Sequence, residues 1–125
     1  MQYRKEILMQ IKTLLETECS VIKCLQTTVS DLGYNYNTLR AKFWREYGIS
    51  MQDYLVKSKL EKAKELLALN EFLIKQVARE IGYRDEATFV RQFKKIYGIT
   101  PGMYQQRIQI ENLVTYILQR VQKYI

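Results

Sequence analysis

Residues 82–104 read GYRDEATFVRQFKKIYGITPGMY, and residues 33–54 read GYNYNTLRAKFWREYGISMQDY. Setting Gly48 against Gly98 and Tyr54 against Tyr104 gives a constant offset of 50 residues, which also pairs Leu39 with Phe89 and Phe43 with Phe93. At Gly33 and Gly82 the offset is 49, so the second copy carries one extra residue in its turn. Two copies are too few for a solenoid, whose repeats need neighbours to bury a continuous core. They indicate one supersecondary unit, duplicated.

The same chemistry punctuates both copies. A short apolar helix comes first, over 25–32 and over 74–81. Val29 and Ala78 each stand four residues before a glycine, where a tight helix-turn-helix brings its second helix close. Gly33 and Gly82 supply the positive φ that ends the first helix. Asn35 and Asp85 then offer a side-chain oxygen to an orphan N–H at the start of the second helix. That helix buries Leu39 and Phe43, or Phe89 and Phe93, at i and i+4. Gly48 and Gly98 fit left-handed caps at its end. Ser50 and Thr100 follow as N-caps, the latter with Pro101 at the first helical position.

Three more helices surround these units. Residues 3–17 carry Tyr3, Ile7, Leu8, Ile11, Leu14 and Leu15 on one stripe. Residues 51–69 turn Tyr54, Leu55, Ala63, Leu66 and Leu67 inward and Lys57, Lys59, Lys62 and Lys64 largely outward. Residues 106–124 carry apolar positions at 110, 114, 117, 121 and 124, whose steps near 3.5 suit a helix–helix seam. Packing against the second lobe and pairing with another copy both satisfy that seam. No alternation of period two is present. The fold class expected is all-α: two helix-turn-helix lobes joined by a long central helix, with N- and C-terminal flanking helices. Residues 1–104 form the double helix-turn-helix domain (lobe one 1–50, linking helix 51–69, lobe two 70–104), and 105–125 an extra amphipathic helix.

Composition narrows the function. The chain has 125 residues, 20 Lys+Arg against 13 Asp+Glu and a formal charge of +7, an excess that favours a polyanionic partner. It has no His, the commonest general base, and no nucleophile–base pair or phosphate loop, so neither catalytic residues nor cofactors are expected. Cys19 and Cys24 offer too few ligands for a metal and read as reduced thiols, a redox switch being the alternative. No apolar run approaches the ~20 residues of a membrane span, and Met1 to Gln10 lacks the pattern of a signal peptide. A cytoplasmic protein, associated with a bacterial nucleoid, is the expectation.

The second helix of such a unit enters the major groove, whose edges distinguish all four base pairs. With Leu39 and Phe43 inward, Tyr36, Asn37, Arg40, Ala41 and Trp44 face away. With Phe89 and Phe93 inward, Glu86, Ala87, Val90, Arg91 and Lys94 do. Asn37 suits adenine, Arg40 and Arg91 suit guanine, Glu86 suits a cytosine amine, and Ala87 or the Thr88 methyl suits thymine. Lys42, Arg45, Lys75, Arg84, Lys94 and Lys95 fall at flanks and helix ends, where phosphate contacts set register. Solvated surface charge is the alternative for each basic residue. Trp44 is expected to be partly buried against a neighbouring helix. A linking helix of ~19 residues is ~28 Å long, suited to holding two recognition helices about one DNA turn apart, provided Arg40 and Arg91 face one side of a duplex.

From Leu32 to Tyr54, through Lys59–Leu67, and above all over Val77–Tyr83 and Phe89–Pro101, the chain resembles the DNA-binding domain of AraC/XylS-type transcription regulators. The resemblance covers residues ~20–105. It implies a two-lobed helical domain, double-stranded DNA as partner, and activation through RNA polymerase. It places base contacts on Asn37, Arg40, Ala41, Glu86, Ala87, Thr88 and Arg91. Three departures stand out: Lys59 where an Arg is usual, Thr28-Val29 where Leu-Ala is common, and Leu73 in place of a polar cap. They imply a first lobe less tightly built or a weaker DNA binder. The rival readings are a non-specific or architectural nucleic-acid binder driven by charge alone, and a protein-interaction module using the C-terminal helix, which would also serve a homodimer through residues 106–124.

Overall fold

The computed structural model describes residues 5–124, all of whose regular secondary structure is helical. Tyr3, expected on the first helix, lies outside the described residues. The helices are α1 (Lys5–Thr17), α2 (Leu25–Asp31), α3 (Tyr36–Tyr47), α4 (Met51–Ala68), α5 (Ile74–Glu80), α6 (Glu86–Tyr97) and α7 (Pro101–Gln122). Within the described residues, no helix is long and apolar enough to cross a membrane. The chain divides between Lys62 and Ala63 into two compact units.

Local hydrogen bonds set the helix ends where the residue types predicted them. Asn35 Oδ1 accepts from Thr38 N–H at 3.0 Å and Asp85 Oδ1 from Thr88 N–H at 2.7 Å. Ser50 Oγ accepts from Asp53 N–H at 3.0 Å and Thr100 Oγ1 from Met103 N–H at 3.2 Å. Gly48 and Gly98 are left-handed, at φ 71° and 79°. The turn in each unit is a Schellman arrangement, which satisfies two orphan carbonyls around a left-handed glycine. Gly33 N–H donates to Ser30 O and Tyr34 N–H to Val29 O, while Gly82 N–H donates to Arg79 O and Tyr83 N–H to Ala78 O. Leu73 has no oxygen to cap α5, but its own N–H is bound by Gln76 Oε1 at 2.8 Å, so half of a capping box survives.

In the first unit Leu8, Ile11 and Leu15 of α1, Val29 of α2, Leu39 and Phe43 of α3, and Met51 and Leu55 of α4 form one buried cluster. Val29 fits the tight turn fully buried, as Ala78 does in the other unit. Cys19 is buried in the cluster and Cys24 exposed at the start of α2, both as free thiols. In the second unit Ala63, Leu67, Val77, Ala78, Ile81, Phe89, Phe93 and Pro101 are buried. The ring geometry repeats. Phe43 lies 4.7 Å from Tyr47 and 5.9 Å from Tyr54, and Phe93 lies 4.7 Å from Tyr97 and 5.8 Å from Tyr104.

The duplication is larger than the motif that revealed it. Lys12 of α1 sits over Tyr47 and Tyr54 at 5.0 and 5.8 Å, and Lys64 of α4 sits over Tyr97 and Tyr104 at 4.7 and 5.7 Å. Around them the buried Leu8, Ile11 and Leu15 answer to Leu60, Ala63 and Leu67. Helix α1 is therefore the first unit's counterpart of the second half of α4, not merely a flanking segment.

Two expectations need correction. Of the four α4 lysines expected outward, only Lys57 is exposed, the other three being half-buried. Lys59 Nζ donates to Ile22 O and Lys62 Nζ to Thr17 O, each at 3.3 Å, while Lys64 covers two rings. The long methylene stem lets a lysine lie along apolar surface while its ammonium finds a carbonyl or an aromatic face. Burial lowers the Lys59 pKa below its ordinary value. The second correction concerns the C-terminal helix, expected over 106–124 and observed from Pro101. Its first turns do pack on the second unit: Tyr104 meets Phe93, and Gln105 Nε2 donates to Leu67 O and Phe72 O. From Gln109 to Tyr124 every residue is exposed, so packing against the lobe does not extend along the helix.

Candidate nucleic-acid interface

The outward face of each second helix follows from its buried pair and a turn of about 100° per residue. On α3, Leu39 and Phe43 are fully buried, and Asn37, Arg40, Ala41, Trp44 and Arg45 are exposed. On α6, Phe89 and Phe93 are fully buried, and Glu86, Ala87, Arg91, Lys94 and Lys95 are exposed. Lys75 at the start of α5 and Arg84 in the turn are exposed as well, whereas Lys42 and Thr88 are half-buried at the flank. Each recognition helix thus gathers its own base-reading candidates on one face. Tyr36 and Val90, expected outward, are half-buried beside the core pair.

Trp44 departs from expectation. It is 61% exposed, on the arc between Arg40 and Ala41, rather than partly buried against another helix. The repeat carried the signal, since Trp44 occupies the place of Lys94, an outward lysine. Apolar character argued for burial, but none of the described residues covers that arc.

The two arginines do not hold equivalent places. The repeat sets Arg91 against Ala41, nearly opposite the buried pair, and Arg40 against Val90, at its edge. Different contacts hold them. The Arg40 guanidinium lies 5.8 Å from the Tyr36 ring, and Arg91 Nη2 donates to Thr88 Oγ1 at 3.3 Å. Thr88 in turn gives its N–H to Asp85, whose carboxyl is held below its ordinary range chiefly by that bond, with Arg91 and Arg84 adding attraction. A short chain of polar contacts therefore runs from the helix cap to the outermost arginine.

Tyr83, in the turn before α6, fixes the helix from beneath: its ring meets Phe89 at 5.5 Å and its hydroxyl donates to Gln92. Burial pushes its pKa up to about 12. The folded value lies above the unfolded ~10, so the associated stability is intact below pH ~10 and lost as pH rises through 12. Urea unfolding followed from pH 9 to 12 should show that decline, reduced in Tyr83→Phe. An identical decline in the variant would remove Tyr83 as its source.

A helix-turn-helix domain family matches residues 29–107. An uncharacterized HTH-type transcriptional regulator of Bacillus subtilis, YtdP, is 40% identical over 76 residues, 61% of this chain and 10% of that protein. The F1 operon positive regulatory protein of Yersinia pestis is 30% identical over 99 residues, 79% of this chain and 32% of that protein. Among solved structures, the C-terminal domain of the two-component response regulator yesN from Fusobacterium nucleatum superposes with a TM-score of 0.69 at 33% identity, covering 81% of this chain and 96% of that one. The chain spans about a tenth to a third of the length of the curated relatives it matches.

Proposed function

Because the chain belongs to the helix-turn-helix family of AraC-type transcription regulators, a family of DNA-binding regulators rather than enzymes, we propose that it reads two successive major-groove segments of one duplex, α3 in one and α6 in the next. The observation that carries this reading is the duplicated exposed face, built on a buried pair in each unit. Asn37, Arg40 and Ala41 read the first box, and Glu86, Ala87, Thr88 and Arg91 the second. Lys42, Arg45, Lys75, Arg84, Lys94 and Lys95 hold phosphates. Helix α4, 18 residues and therefore ~27 Å long, joins the two units. The family domain is taken as residues 1–104, with the rest of α7 as an addition to it.

Activation through RNA polymerase fits the name of the Yersinia pestis relative, a positive regulatory protein, and the site of action is the bacterial cytoplasm, at the nucleoid. Selection of bound duplexes from a random pool tests the core of the proposal. Two short boxes with centres about ten base pairs apart are expected. Binding with a steep salt dependence and no recovered motif would mean an architectural binder instead. No affinity at low salt would leave only protein interaction.

A further inference from the structure

Gln109 Nε2 donates to Asn70 Oδ1, and beyond it every described residue of α7 is exposed, yet this is not a polar segment. Ile110, Leu113, Val114, Ile117, Leu118 and Val121 are each between 48% and 61% exposed. The positions 110, 114, 117 and 121 step by four, three and four, the alternation of a coiled-coil seam, and Leu113 and Leu118 broaden it. Together these six present roughly 600 Å² of accessible surface, at the top of the range for the largest apolar patch on a monomer. Helices draw most of their stability from packing an apolar face, and the described residues leave this stretch of α7 exposed.

We infer that the partner for this face is a second copy of the same chain, docked helix to helix in an antiparallel pair. Two such faces offer roughly 1,200 Å² for removal from water, the lower limit for specific interfaces. A two-fold pairing is self-complementary, so one apolar stripe serves both sides. The seam partner of Arg107 selects the orientation. Arg107 continues the seam one step before Ile110, and a parallel register would set the two Arg107 side chains face to face. The antiparallel register that sets Val114 against Ile117 of the other copy sets each Arg107 against Tyr124 instead of against a second Arg107. Two heptads make a weak dimer, one that forms on concentration or when two copies share a duplex. No residue of this surface belongs to α3 or α6.

Sedimentation equilibrium of the whole chain, at concentrations up to about 300 μM, tests the pairing in the range where a weak interface is populated. The mass should rise from the 15.0 kDa of the monomer toward twice that value. Ile117→Glu, and separately Leu113→Lys, should restore the monomer while leaving circular dichroism unchanged. A monomer at every concentration overturns the proposal, as does assembly that neither variant weakens. So does a monomer whose Ile117→Glu variant loses transcriptional activation with DNA affinity intact, since the face would then dock another protein. Spin labels on Gln106→Cys in a Cys24→Ser background should lie ~30 Å apart in the antiparallel pair. A separation near 10 Å overturns that arrangement.

Discussion

Arg91→Ala is expected to weaken binding to the selected duplex by about 1–3 kcal/mol, roughly 5- to 150-fold, and to erase base preference at one position of the second box. The size follows from geometry. Arg91 stands nearly opposite the buried Phe89–Phe93 pair, on the part of α6 that would reach deepest into a groove in the proposed complex. A guanidinium there can present two parallel donors to guanine, a fit that a lysine point charge lacks. Thr88 already holds the group, so less side-chain freedom is lost on binding. Lys95→Ala provides the contrast: uniform weakening on all sequences and a salt slope shallower by about one. Titrations of both variants against the selected duplex and a scrambled one separate the two effects. If Arg91→Ala lost the same factor on both duplexes, Arg91 would be a phosphate contact and the base-reading role would be abandoned.

Phe93→Ala is expected to cost about 3–5 kcal/mol and to unfold the second unit ahead of the first. Phe93 is fully buried, and its ring touches Phe89, Tyr97 and Tyr104. A domain of this size is typically stable by only ~5–15 kcal/mol, and this core is shared between two small units, so the loss removes a large part of the margin. Urea titration by circular dichroism should turn from one transition into two, with the early one absent from Phe43→Ala, which damages the first unit instead. A shift of the midpoint worth less than ~1 kcal/mol would mean that the ring cluster is not the keystone of the second unit.

What the residues alone made legible was everything set by short-range chemistry. Asn35, Ser50, Asp85 and Thr100 cap because each carries an oxygen three residues before the N–H it binds. Gly33, Gly48, Gly82 and Gly98 end helices because left-handed backbone disfavours any side chain. The buried pairs of α3 and α6 follow from their spacing of four, and the outward residues follow by rotation. The larger extent of the duplication was harder to see. Lys12 and Lys64 do the same work over paired tyrosines, but Leu8, Ile11 and Leu15 match Leu60, Ala63 and Leu67 only in kind, and at a different offset from the rest.

Tertiary structure alone decided which surfaces have neighbours. Trp44 and the stripe from Ile110 to Val121 look like core by residue type and lie in the open. Lys59, Lys62 and Lys64 look like solvent-facing charge and lie against carbonyls and rings. Capping and helical phase depend on residues three or four apart, which the order of the chain specifies directly. Burial depends on what arrives from tens of residues away, and no local pattern encodes that arrival.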